Sequence, residues 1–193
     1  MIKDEKGLSL IELVITIAII AIFSATVLAV ISTTSTMMKA TSTVATIQNV
    51  SQETADQLKE LIMETNESIY YGYGTFDHPG EAVENGNDLA ASGDREKSLY
   101  LQKKQGGMSY IETLTWNPTN QQLLYKKNGV SGGTSTSQTE ILASNVSDFR
   151  VDISNVESKQ YVQVYITIQK NERSNTVRQT ISLRNKVKIQ SPF

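Results

Sequence analysis

Residues 8–31 read LSLIELVITIAIIAIFSATVLAVI, 24 residues with one charged side chain, Glu12. As an α-helix this run reaches about 36 Å, enough to cross a hydrocarbon core of roughly 30 Å. The stretch therefore predicts a membrane helix. A cleaved secretory signal has a shorter apolar core, about 7 to 15 residues, closing on small residues; Ala25 and Ala29 keep that alternative open. The leader ahead of the run, MIKDEKG, carries two lysines and two acids that cancel. The positive-inside cue is faint, and a cytoplasmic N-terminus is expected from the shortness of the leader.

Glu12 is the unusual residue of the run. A carboxylate at the centre of a membrane helix costs about 2.5–3.5 kcal/mol, and less near an end, unless something pairs with it. The alternative is that Glu12 reaches the headgroups or takes a proton. Its setting, Gly7-Leu8-Ser9-Leu10-Ile11-Glu12-Leu13, resembles the processing motif of type IV prepilins and type II secretion pseudopilins. The resemblance implies that a peptidase cuts between Gly7 and Leu8 on the cytoplasmic side and methylates the new Leu8 amine. Glu12 then stands fifth in the mature chain. Leu8 replaces the phenylalanine commonest in that family and Ser9 the threonine, without changing the chemistry.

At 100° per residue, Ala18, Ala21, Ala25, Ala29 and Ser32 fall within a sector about 80° wide, a small-residue stripe that permits close helix packing. Ser9, Glu12 and Thr16 share a roughly opposite sector. Alanine is also common in membrane helices without any such role.

Nine of the fifteen residues in STTSTMMKATSTVAT, 32–46, are Ser or Thr and none is Gly or Pro, so the helix is expected to continue, softened. Val44, Ile47, Ser51, Ala55, Leu58, Ile62, Thr65 and Ile69 then recur at spacings of three and four, which predicts an amphipathic helix to about Tyr71. Residues 72–97 hold five glycines and six acids and read as an acidic loop. Asp77, His78, Glu84, Asn85, Asn87, Asp88 and Asp94 offer hard ligands there, but their spacing matches no calcium-loop pattern, and no metal site is expected. Six strands follow, at 98–104, 108–116, 121–127, 146–154, 161–169 and 176–183, with the Val44–Ile69 stripe as their cover.

The expected fold is α+β: a long N-terminal helical spine, half membrane and half amphipathic, packed on an antiparallel β-sheet in the manner of a type IV pilin. Its parts are a cleaved leader at 1–7, a transmembrane and assembly helix at 8–31, a neck and amphipathic helix at 32–71, and a sheet domain at 72–193. The C-terminal pattern ILASNVSDFRVDI, YVQVYITIQ and TVRQTISLRNK resembles the J/W-type minor pseudopilins and minor pilins.

With no cysteine and one histidine, His78, the chain lacks disulfides and thiolate chemistry and has little for nucleophile–base catalysis. It reads as a structural subunit, without enzymatic activity or cofactor. The family resemblance implies sibling pilins or pseudopilins, the prepilin peptidase, and an assembly platform with its ATPase as partners. It places the chain in the cytoplasmic membrane with the sheet domain outside, and after assembly in a pilus or pseudopilus at the cell surface. A permanently anchored, single-pass binding protein is the second reading.

Charge is segregated. Residues 53–96 carry eleven acids against Lys59 and Arg95, a net of −9, while residues 97–193 carry thirteen Lys/Arg against six acids, a net of +7. Such a molecule is steered toward its own copies head to tail, or toward a polyanion. In the polyanion reading, a DNA-uptake pilin, Arg173, Arg178, Arg184, Lys186 and Lys188 contact phosphates; a solvated basic face is the simpler account of them.

Overall fold

The computed structural model describes residues 9–75, 78–82, 95–129 and 139–191. The chain divides into two units, residues 1–44 and 45–193, and helix α1, Leu10–Met63, contributes to both.

In the first unit the described residues are helical from Leu10 onward. Every large apolar side chain from Leu10 to Ile31 is exposed, Leu10 at 82% and Val27, the least, at 39%. A stretch of α1 is long and apolar enough to cross a membrane, and none of it is buried within the chain. The Ser/Thr-rich neck remains helical because its hydroxyls turn back onto the helix. Thr33 donates to the Ala29 carbonyl at 2.9 Å, Thr36 to Ser32 at 3.0 Å and Thr43 to Lys39 at 2.9 Å, so these polar groups need no outside partner.

In the second unit α1 turns amphipathic as the spacing predicts: Ile47, Ser51, Thr54, Ala55, Leu58 and Ile62 are buried. The helix ends at Met63, however, and not near Tyr71, because residues Ser68–Thr75 form strand β1. Ile69 suits the helical stripe and equally suits alternation with Tyr71, and both are fully buried in the strand. The aromatic run SIYYGY favours the extended form. Asn66 makes the junction: its side chain donates to the Lys104 carbonyl at 2.9 Å and accepts from the Lys104 N–H at 2.7 Å, so it pairs as a strand residue would.

The region expected to be an acidic loop likewise starts in strands. β1 runs to Thr75 and β2 spans His78–Ala82 before the chain leaves the described residues at 83–94. The other strands are β3 Lys97–Gln105, β4 Met108–Asn117, β5 Gln122–Gly129, β6 Thr139–Ser144, β7 Val146–Asp152, β8 Tyr161–Lys170, β9 Arg173–Ser182 and β10 Lys188–Ile189, with a short helix α2 at Val156–Lys159. All six expected strands are present. Sequence missed β1, β2, β6 and β10.

The strands make two sheets where one was expected. The larger has the order β10-β1-β3-β4-β5-β6 with β2 also on β1, and the smaller is β7-β8-β9. All pairs are antiparallel except β1 with β10. The break falls at Asn145, whose left-handed backbone (φ 61°) turns the chain from one sheet into the other. One core joins them: Leu58 and Ile62 of α1, Leu99, Leu114 and Leu123 of the large sheet, and Phe149, Val164 and Ile166 of the small one. Two buried donors stitch the sheets, the Trp116 indole N–H to the Val146 carbonyl at 2.9 Å and the Tyr71 hydroxyl to the Phe149 carbonyl at 3.2 Å.

One charge cluster lies on the core face. The Glu112 carboxylate, 4% exposed, meets Lys103 at 2.7 Å and Lys127 at 3.3 Å, and Lys103 also reaches Glu64 at 3.1 Å. Burial, and then the neighbouring Glu112, push the Tyr125 hydroxyl well above its ordinary pKa. The closing Leu183-Arg184-Asn185 has a structural use: Leu183 is buried, and the Asn185 amide donates to the Thr65 carbonyl at 3.3 Å where α1 has just ended.

Candidate assembly interface at the N-terminal helix

Residues 9–12 form a reciprocal helix cap. The Glu12 N–H donates to the Ser9 Oγ at 3.4 Å, while Glu12 Oε2 accepts from the Ser9 N–H at 3.0 Å and from the Ser9 hydroxyl at 3.2 Å. Ser-Leu-Ile-Glu is thus a capping box, in which Ser at the cap and Glu three residues on satisfy each other's backbone donors. The spacing S-x-x-E ahead of an apolar run is a sequence signal for this geometry, and it gives Glu12 a partner within its own helix where a charge partner is expected from the sequence. Thr16 donates to the Glu12 carbonyl at 2.7 Å, which leaves its hydroxyl satisfied within the same helical turn.

The arrangement does two things chemically. It holds a carboxylate at the N-terminal end of a long helix, where the helix dipole favours negative charge by about 0.3–1 kcal/mol in an exposed setting. It also leaves Glu12 largely exposed, with Oε2 occupied and no ion pair among the described residues. Ala18, Ala21, Ala25 and Ala29 are exposed along α1, so their stripe is open to a partner or to lipid. Gly7 and Leu8 lie outside the described residues, as do Asp77, Glu84, Asn85, Asn87, Asp88 and Asp94 of the acidic segment. Among the described residues no group of three or more His, Asp or Glu side chains is placed to hold a metal.

The five basic residues fall in two places. Arg173 opens β9, and Arg178 lies on the outer face of the small sheet, over the Tyr165 ring at 5.3 Å and donating to Gln163 Oε1 at 3.0 Å. Arg184, Lys186 and Lys188 are exposed in the tail that ends in β10 beside β1.

Residues 2–33 match the family model for the prokaryotic N-terminal methylation motif. This is a motif of the prepilin type, and it supports a pilin- or pseudopilin-type prepilin subunit. The match brackets Gly7, Leu8, the Ser9–Glu12 cap and the apolar helix through Ile31. No curated protein and no solved structure matches the chain.

Proposed function

We propose that the chain is a minor pilin or pseudopilin: a prepilin cleaved between Gly7 and Leu8, methylated at Leu8, held in the cytoplasmic membrane by residues 8–31 with the sheet domain outside, and drawn by a platform and its ATPase into a filament. The observation that carries this is the methylation motif fused directly to a helical stretch, Leu10 to Ile31, whose large apolar side chains are all exposed. Such a helix needs lipid before assembly and neighbouring helices after it. The minor, J/W-type character rests on the C-terminal hairpin and tail and on the lack of proline in residues 8–31.

Glu12 is the assembly residue in this reading. Its carboxylate sits in the capping box in the isolated chain and exchanges Ser9 for the amine at Leu8 of a neighbour when the helix leaves the headgroup region, where unpaired ions cost several kcal/mol each. Gly7→Val should block cleavage and leave membrane insertion intact. Glu12→Val should insert and be cleaved, while crosslinking to sibling pilins in membranes falls sharply. Undiminished crosslinking of Glu12→Val would assign Glu12 to the cap alone.

Among the described residues of the second unit, an apolar groove lined by Ile47, Val50, Ile141, Ile168 and Lys170 encloses about 290 Å³ and a hollow lined by Tyr73, Gly74, Arg95 and Glu96 about 350 Å³, both at the small end of small-molecule pockets, roughly 300–1,000 Å³, and neither singles out the anchored-receptor reading.

A further inference from the structure

The small sheet covers one of its edges and leaves the other open. The ladder between β8 and β9 runs unbroken from Lys170 and Arg173 at the turn to Tyr161 and Ser182. Beyond it the Leu183 N–H donates to the Gln160 carbonyl at 2.8 Å, so 160 and 183 form a hydrogen-bonded pair. Such pairs alternate with pairs whose backbone groups face away from each other. Ser174, Thr176, Arg178, Thr180 and Ser182 therefore turn their N–H and C=O groups away from β8. On β7 the same alternation turns Val146, Phe149 and Val151 outward, and there the edge is covered. The Val146 N–H donates to the Gln121 carbonyl at 2.8 Å, and the Val146 and Phe149 carbonyls accept from Trp116 and Tyr71 at 2.9 and 3.2 Å; Val151 is buried. Among the described residues nothing bonds to the outward backbone groups of β9.

An open edge is a template for another strand, and folded proteins blunt it with proline, a bulge, lysine or a covering element. The edge strand of the large sheet, β6, is six residues long and bulged at Leu142. By contrast β9 has ten residues without proline, lysine or bulge. Its mid-strand charge, Arg178, leans back over the Tyr165 ring at 5.3 Å and donates to Gln163 at 3.0 Å, toward β8 and off the edge. The side chains say which strand fits. Ser174, Thr176 and Thr180 are exposed on the outer face; on the inner face Val177 is half-buried against the core, and Gln179 Oε1 is buried without a hydrogen-bond partner. A second copy fits poorly, because full overlap of two β9 edges sets Arg178 opposite Arg178, and like charges directly opposite destabilise a ladder.

We propose that the open edge of β9 takes an extended strand of a different pilin-type subunit, one with an acidic residue opposite Arg178, an apolar residue beside Val177 and a side-chain donor for Gln179. Backbone hydrogen bonds to the five outward residues supply affinity, and the alternating side chains supply specificity. The contact joins unlike chains, as a minor subunit requires, and is independent of Glu12. Which chain brings the strand rests on the proposed pilin-type reading; the open edge does not.

The test uses the full chain in membranes of cells that make sibling pilins and of cells that do not. Amide exchange at Ser174, Thr176, Arg178 and Thr180 should slow about tenfold or more when siblings are present, since each N–H gains a hydrogen bond; Asn175, Val177, Gln179 and Ile181, already bonded to β8, should be slow in both. A photocrosslinking side chain at position 180 should join the chain to a sibling, identified by mass. Thr176→Pro removes an outward N–H that β8 does not use and should cut that crosslink about tenfold, while Thr176→Ser should leave it. The exchange comparison on the unaltered chain decides the matter even if the proline variant fails to fold. Fast exchange along β9 in both cells, a crosslink only to a second copy, or one indifferent to Thr176→Pro in a folded chain would each overturn the strand addition. The pilin-type reading would stand, because intact mass of the same samples reads leader processing separately. A chain that keeps Met1 yet gains the alternating protection along β9 would do the reverse.

Discussion

The two halves of α1 share one helical backbone and treat their apolar side chains in opposite ways. From Leu10 to Ile31 isoleucines, leucines and valines occur all round the helix and every one is exposed. From Ile47 to Ile62 they are fewer, confined to one stripe, and Ile47, Leu58 and Ile62 are buried to 3% exposure or less. Propensity does not separate the halves. The environment that each half requires does: the second is satisfied by two sheets of its own chain, and the first only by lipid or by other copies.

The carboxylates differ in the same sense. Glu12 is held by a cap made within one helical turn, whereas Glu112 is held by two lysines from other strands and, through Lys103, by the end of α1. Local satisfaction suits a group that later changes partner. Tertiary satisfaction suits one that never does.

The sharpest way to break the comparison is to remove the second half. A fragment of residues 45–193 should be soluble and fold, while residues 64–193 should not. The shorter piece lacks Ile47, Leu58 and Ile62, whose burial is worth roughly 5–9 kcal/mol in all at about 1.5–3 kcal/mol each, most of the stability of an ordinary domain. Equal near-ultraviolet dichroism and cooperative melting from both fragments would show that α1 is not the cover of the sheets.

Next in size is Glu112→Ala, which leaves the buried Lys103 with only the exposed Glu64 and should cost about 3–5 kcal/mol in denaturant titration, the usual result of breaking a buried pair. Leu58→Ala should cost about 2–5 kcal/mol by the same measurement, against less than about 0.5 kcal/mol for Leu28→Ala. Similar losses from both leucines would erase the distinction between the halves.

The fold was legible where one period ran unopposed. The membrane run, the amphipathic stripe and the alternation of Val162, Val164, Ile166 and Ile168 against Tyr161, Gln163, Tyr165 and Thr167 each fit a single template. At Thr65 to Tyr71 the helical and strand periods agree on which residues are buried, so sequence could not place the end of α1. β6 and β10 were missed for a different reason. β6 mixes apolar Ile141 and Leu142 without alternation, and β10 is two residues long, paired with β1 through tertiary contacts and held by Glu157, which accepts from the Ile189 N–H at 3.1 Å. At the candidate site, Gly7, Leu8 and Glu12 stood out by motif. The role of Ser9 lies in the S-x-x-E cap spacing, a local signal masked by the membrane setting of Glu12.

Smaller effects sharpen the picture. Ser9→Ala removes the cap hydroxyl and should cost the first turn about 1 kcal/mol, seen as faster amide exchange at residues 11–13 in detergent with the second unit unchanged. Tyr125 supplies the smallest signal. Its hydroxyl holds its proton more tightly folded than unfolded, so the folded state binds more protons above the unfolded value of about 10. The stability it contributes is complete below that pH and is lost as pH rises beyond it. Tyr125→Phe should flatten that part of the alkaline stability profile.

The central claim is that residues 1–7 are a processing leader and the exposed half of α1 an assembly element, and the intact mass of the membrane-extracted chain tests it most directly. The account predicts a chain beginning at Leu8 and carrying one added methyl group. A chain that retains Met1, or one that begins after Ala25 or Ala29, would contradict it.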